Sequence, residues 1–164
     1  MHINSPRLLL RWLRPDDLED FLEYRSDPAV LRYQSMSPMT REEAASFIKS
    51  QANKTLGKVG GYQQIAIERK SGGKLIGDCA LKLRAGEPRI AEIGYTINSR
   101  YQGQGYATEA VRALIGELFG ALNVHKVAAL VDVRNPASFR VLEKLGFVVL
   151  THAQAFVMKA NPAS

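Results

Sequence analysis

Two glycines one residue apart, Gly103 and Gly105, lie in the stretch Arg100-Tyr101-Gln102-Gly103-Gln104-Gly105-Tyr106-Ala107-Thr108-Glu109-Ala110. An apolar strand pattern precedes this stretch and an amphipathic helix pattern follows it. A helix start leaves its first backbone N–H groups unpaired and carries the positive end of the helix dipole. A glycine turn at that point is a site for phosphate or pyrophosphate. The N–H groups of Gln102, Gly103, Gln104, Gly105, Tyr106 and Ala107 are the candidates, glycine allows a close approach, and Arg100 can add positive charge. The second chemical position is Glu92, in Ala91-Glu92-Ile93-Gly94-Tyr95. Alternation places it opposite Ile93 and Tyr95. A carboxylate on a central strand is a candidate general base, because burial raises the pKa of such a group toward neutrality.

Other chemistries find less support. A dinucleotide fingerprint needs a third glycine where Thr108 stands, and no acidic residue ends a following strand at the required spacing. The Gly-Lys-Ser/Thr phosphate loop is absent as well. Cys79 is the only cysteine, on a strand pattern (Leu75, Gly77, Cys79, Leu81) that predicts a buried structural thiol rather than a nucleophile. His2, His125 and His152 have no ligand spacing, so no metal site is expected.

The elements that must hold these positions follow from periodicity. Arg7–Arg14 reads as a strand with Leu8, Leu10 and Trp12 on one face. Pro15-Asp16-Asp17 opens a helix with Leu18, Phe21 and Leu22 inward, and Asp27-Pro28 is expected to stop it. Thr40-Arg41-Glu42-Glu43 is a capping box for a second helix, with Ala44, Phe47 and Ile48 inward. After a break at Gly57–Gly61, Tyr62–Arg69 and Lys74–Arg84 form a hairpin around Lys70-Ser71-Gly72-Gly73. Arg89–Asn98 is the fourth strand and leads into the glycine turn. The next helix carries Ala107, Ala110, Val111, Leu114, Ile115, Leu118 and Leu122 at helical spacing. Lys126–Val133 reads as a strand buried on both faces. Asn135-Pro136-Ala137-Ser138 starts a helix with Phe139, Val141, Leu142 and Leu145 apolar, closed by Gly146. Phe147–Leu150 and Ala155–Lys159 give closing strands. The class is mixed α/β, with no repeat, linker or low-complexity segment.

The 164 residues suit one domain, taken as 1–164. Hydrophobic residues make up 46% and charged residues 23%, ordinary for a globular chain. No apolar run is long enough to span a bilayer, the start lacks a signal-peptide core, and one cysteine fits a reducing compartment, so a cytoplasmic location is expected. The net charge of +6 favours anionic ligands. The basic residues are scattered, with no run interleaved with aromatics, so a nucleic-acid face is not expected.

The segment Arg100-x-x-Gly103-x-Gly105 resembles the acetyl-CoA signature of GNAT N-acetyltransferases. Asn135-x-x-Ser138-x-Arg140-Val141-x-Glu143-Lys144-x-Gly146-Phe147 resembles their second conserved block. The opening Arg7-Leu8-Leu9-Leu10-Arg11-x-x-Arg14-Pro15-x-Asp17 is similar to the branch containing the ribosomal-protein N-terminal acetyltransferases. The resemblance covers about residues 6 to 150. It implies a GNAT fold: a central, mostly antiparallel sheet of about six or seven strands, flanked by four helices and splayed between its fourth and fifth strands.

The resemblance further implies transfer of an acetyl group from acetyl-CoA to a primary amine, a protein N-terminal α-amine or a small-molecule amine, by direct attack in a ternary complex. The glycine turn would then hold the pyrophosphate. The strand end Tyr95, Thr96, Ile97 and Asn98 would pair with the pantetheine arm, and Asn135 would hydrogen-bond the same arm. Glu92 matches the general-base glutamate of related histone acetyltransferases. The tyrosine that many relatives use as acid is replaced here by Leu142, and Ser138 is the expected substitute, able to hydrogen-bond the leaving thiolate. The acids Asp16, Asp17, Glu19, Asp20 and Glu23 can attract a cationic acceptor or simply favour their helix start. The stretch after Gly146-Phe147 is short against the family pattern. The acceptor pocket is accordingly expected to be open, completed by a partner chain, or built mostly from Pro15–Thr55, and pairing of two copies through the closing strands is left open. A non-catalytic acetyl-CoA sensor and a basic RNA- or ribosome-associated protein are the alternatives.

Overall fold

Alternating and apolar runs assemble into one eight-stranded sheet, in the order β1-β2-β3-β4-β5-β6-β8-β7. The computed structural model describes every residue except 35, 36, 53, 133, 152–155, 163 and 164. Expectations for Val133, His152 and Ala155 therefore lie outside the described residues. The strands are β1 (His2–Asn4), β2 (Leu8–Trp12), β3 (Gln63–Arg69), β4 (Leu75–Arg84), β5 (Glu87–Ile97), β6 (Lys126–Leu130), β7 (Val148–Thr151) and β8 (Phe156–Ala160). All neighbours pair antiparallel except β5 and β6. The mixed class and mostly antiparallel sheet are those expected. The eighth strand is β1, three residues long and too short to announce itself by alternation, although Ile3 is buried.

The helices are α1 (Leu18–Arg25), α2 (Pro28–Leu31), α3 (Arg41–Gln51), α4 (Tyr106–Phe119) and α5 (Pro136–Lys144). Asp27-Pro28 ends α1 but does not stop helical structure. The Asp27 side chain accepts from the Ala29 N–H at 2.9 Å and caps α2, with Pro28 in its first turn. The Thr40–Glu43 capping box is present in both directions, each bond 3.2 Å. Cores form on both faces of the sheet. Ala110, Val111, Leu114 and Leu118 of α4 and Leu142 of α5 pack on one face with Leu8, Leu10, Ile65, Ile93 and Val127. Phe21 and Tyr24 of α1 and Ala44 and Ile48 of α3 pack on the other, with Leu13, Ala66 and Leu75.

Two expectations about faces change. Leu75 does not share a face with Cys79, because β4 carries an extra residue: Ile67 opposes Gly77 and Glu68 opposes Leu75. That bulge reverses the parity, so Ile76 joins the α4-side core and Leu75 the α1-side core. The strand at Lys126 is buried only over Val127, Ala128 and Ala129, and Leu130 is 65% exposed.

The feature that positions the site is the end of the β5–β6 pairing. Their parallel register runs from Ile90↔Lys126 to Ile93↔Ala129 and stops there. Among the described residues, Gly94–Ile97 continue in β5 without a partner on that side, which is the expected splay between the fourth and fifth strands of the sequence reading. No helix among the described residues is long and apolar enough to cross a membrane.

Candidate functional site

The glycine turn stands at the start of α4. Gly103 and Gly105 have φ of +74° and +83°, a region that side-chain-bearing residues seldom adopt. A Cβ added to Gly103 would meet nothing within 4 Å, so its need is for the backbone shape and for open space in front of it. The first helical bond of α4 is from the Glu109 N–H to the Gly105 carbonyl, so among the described residues the N–H groups of Gly103 to Thr108 have no backbone acceptor, whereas the Gln102 N–H, counted among the candidates from sequence, is spent on the Ser99 carbonyl at 3.4 Å. Arg7 braces the turn: Nη1 donates to the Gln104 carbonyl at 3.0 Å and Nε to Glu109 at 2.7 Å. Arg100 points elsewhere, donating to Glu23 at 2.9 Å while 70% of its side chain is exposed. Gln102 uses its side-chain amide on the Ile97 carbonyl at 2.9 Å. Asn98 is buried, caps the turn Ser99–Tyr101 and donates to Glu23, so its side chain serves the fold.

Two cavities open where β5 leaves β6. The first, of about 380 Å³, is lined by Gln102, Gly103 and Ala107, by the strand end Tyr95, Thr96 and Ile97, by Asn135–Ser138 and by Val30, Arg32, Tyr33 and Gln34. The structure thus brings Tyr95, Thr96, Ile97, Gln102, Gly103, Ala107, Asn135 and Ser138 to one wall. Asn135 caps α5 through Oδ1, which accepts from the Ser138 N–H at 3.3 Å, and its Nδ2 donates to Ser138 Oγ at 2.9 Å. Leu142 is 1% exposed and belongs to the core.

The second cavity, of about 490 Å³, is lined by Arg25, Tyr62, Gln64, Asp78, Glu92, Gly94, Ala128 and Leu130. It shares Gln34, Tyr95 and Thr96 with the first. Only Arg25 and Gln34 come from the Pro15–Thr55 region, so the strands, not that region, supply most of this wall. Glu92 faces the cavity but does not stand alone: Arg84 Nε donates to it at 2.9 Å and the Tyr62 hydroxyl at 3.4 Å. Burial, then the charge of Glu92, pushes the Tyr62 hydroxyl's pKa up and keeps it a donor.

The floor of this cavity is a buried cluster missing from the sequence reading. Asp78, 1% exposed, accepts from Tyr24 Oη at 2.6 Å, Arg25 Nη2 at 2.8 Å and Gln64 Nε2 at 2.9 Å. A lone acid inside the apolar run Leu75-Ile76-Gly77-Asp78-Cys79-Ala80-Leu81 was the available signal. Arg25, at the end of an exposed-looking helix, offered none. The acids of the first helix are used within the fold and line neither cavity. Asp17 pairs with buried Arg11 at 2.8 Å, Glu19 with Arg41, and Glu23 with Lys74 and Arg100. Cys79 is fully buried, and burial pushes its thiol pKa up, as a structural cysteine requires.

The sheet is thus split between its parallel strands, with a glycine-led helix beside the split. The family model described as an acetyltransferase (GNAT) domain matches residues 7–148, and the chain belongs to that family. The Bacillus subtilis protein named uncharacterized N-acetyltransferase YnaD is 33% identical over 146 residues, 89% of this chain and 82% of that protein. A GNAT-family acetyltransferase structure from Bacillus anthracis superposes with a TM-score of 0.84 at 25% identity, over 98% of this chain and 99% of that one. Two further structures share the fold. Spermidine N-acetyltransferase from Vibrio cholerae, in complex with CoA and spermine, has a TM-score of 0.78 at 20% identity, over 96% and 97% of the two chains. Ribosomal-protein-S5-alanine acetyltransferase from Vibrio fischeri has 0.76 at 20%, over 99% and 97%.

Proposed function

We propose that this chain, as one acetyltransferase domain, transfers the acetyl group of acetyl-CoA to a primary amine, a protein N-terminal α-amine or a small-molecule amine, by direct attack with both bound. The observation that carries the reading is the meeting of the two cavities at Tyr95 and Thr96, one lined by the glycine turn and the other by a carboxylate. The open φ-positive turn suits a pyrophosphate held by the N–H groups of Gly103–Ala107. The free edge of Tyr95–Ile97 suits a pantetheine arm added like a strand, with Asn135 beside it. Glu92 takes the amine proton directly or through water, and Ser138 donates to the sulfur. The Arg84 partner makes Glu92 an ion-paired base, which suits an α-amine, whose pKa near 8 asks little of a base. A cytoplasmic location, where acetyl-CoA would be supplied, is part of the same reading.

The test is CoA release with a panel of N-terminal peptides, polyamines and amino compounds, for wild type, Glu92→Gln and Ser138→Ala. Turnover with one acceptor class is expected, and Glu92→Gln lowers kcat by about 100-fold, the lower end of general-base effects. Tight acetyl-CoA binding with no turnover on any amine would instead support a sensor.

A further inference from the structure

One buried hydroxyl has no hydrogen-bond partner among the described residues: Tyr95 Oη. Leaving such a group unpaired costs stability, and native folds keep few of them. Its position gives the reason. On β5, Ala91, Ile93, Tyr95 and Ile97 face α4 and α5, while Glu92, Gly94 and Thr96 face the opposite side. Tyr95 therefore packs with the α4-side core and also lines both cavities. Ser138 is its polar neighbour, close enough to oppose the burial that pushes the Tyr95 pKa to about 12, although the pair does not reach hydrogen-bond geometry. Ser138 Oγ accepts from Asn135 Nδ2, so its own proton is directed elsewhere. Tyr95 of β5 thus lines the first cavity with its hydroxyl buried and unpartnered in the wall, Ser138 of α5 lines the same cavity beside it, and Leu142 of α5 lies in the core.

Resting on the transferase reading above, we propose that Tyr95 is a catalytic residue: its hydroxyl, with that of Ser138 as second donor, hydrogen-bonds the sulfur of CoA as it departs. The amine lone pair forms the N–C bond, and the C–S bond breaks with both electrons going to sulfur. The nitrogen's surplus proton leaves on the Glu92 side, and the sulfur takes one proton from solvent on release. Tyr95 keeps its own proton, because a buried phenol holds it more tightly than a free thiol near 8.5. Its contribution is charge stabilisation by a preorganised donor.

The test uses Tyr95→Phe, which keeps the ring. Three readouts separate the roles. Thermal unfolding should show a Tm equal to or up to about 5 °C above wild type, because an unpaired polar group is removed. Calorimetry with CoA and with desulfo-CoA, which lacks the sulfur, at pH 7 and pH 9.5 should show a wild-type preference for CoA that grows about tenfold as the thiol ionises. The variant should lose that growth. Its kcat should fall about 100-fold with KM for acetyl-CoA nearly unchanged, the lower end of the range for loss of one preorganised donor. A Tm lowered by several degrees, or a sulfur-dependent preference equal to wild type, overturns the assignment of Tyr95. Wild type that binds neither CoA nor desulfo-CoA overturns the transferase reading itself.

Discussion

The two cavities that meet at Tyr95 are made of different materials. The first is backbone and hydroxyl: a φ-positive turn, a free strand edge, Asn135, Ser138 and Tyr95. The second is charge already matched by charge, with Arg25 on Asp78 and Arg84 on Glu92. A surface of unspent donors is prepared for an anionic, extended ligand and pays for this in unpaired groups. A surface of satisfied ion pairs is rigid and nearly neutral, and it selects by shape and by whichever pair a ligand can enter. The fold therefore keeps its cost on the donor side and its stability on the acceptor side.

Removing the acceptor floor should have the largest effect on stability. Asp78→Ala leaves the Arg25 guanidinium, 3% exposed, without its carboxylate, and strips the acceptor from Tyr24 Oη and Gln64 Nε2. Breaking a buried pair from one side costs about 3–5 kcal/mol. Urea unfolding should show that loss, with CoA affinity nearly retained at temperatures where the variant is folded. A loss below about 1 kcal/mol would mean that the second cavity is not where the stability lies.

The converse variant acts on the first cavity. Gly103→Val forces a β-branched residue to φ of +74° and fills space that no protein atom occupies. Acetyl-CoA affinity should drop at least about 100-fold, equivalent to about 2.7 kcal/mol, while the circular dichroism spectrum stays that of the folded protein. Unchanged affinity would break the assignment of this turn to the pyrophosphate and, with it, the contrast between the two sides.

The same contrast explains what could be read from sequence. One wall of the first cavity is built from two contiguous segments, Tyr95–Ala107 and Asn135–Ser138, whose local chemistry (glycines before a helix, a capping Asn) is visible without knowing the fold, while Val30, Arg32, Tyr33 and Gln34 close it from a segment that carries no such signal. The second draws Arg25, Gln64, Asp78 and Glu92 from four elements, and register alone brings them together. Register is also where alternation fails at Leu75, because one extra residue in β4 puts Leu75 on the face opposite Cys79. Tyr95 was legible only as backbone. Its hydroxyl gains meaning from Ser138, which lies 43 positions along the chain (138 − 95) and beside it in space.

The smallest effect should come from the ion pair that braces the glycine turn, Arg7–Glu109. Glu109, in the first turn of α4, accepts from Ser5 Oγ at 2.6 Å, the Arg7 N–H at 2.8 Å and Arg7 Nε at 2.7 Å. Burial raises its pKa, but the bonds from Ser5 and Arg7 outweigh burial and hold the carboxyl below its ordinary 4.5. A depressed pKa contributes stability above the unfolded-state value, and that stability is lost as pH falls through the folded-state value. Arg7 is 44% exposed, so screening keeps the contribution of the pair to about 1 kcal/mol or less. Glu109→Gln should thus be slightly less stable than wild type at pH 7, and the gap should close as pH drops below 4.5. A gap that stays constant from pH 7 into that acid range would show that Glu109 acts through packing. The donor side would then hold its shape without the Glu109–Arg7 charge pair, and the difference between the two cavities would be sharper still.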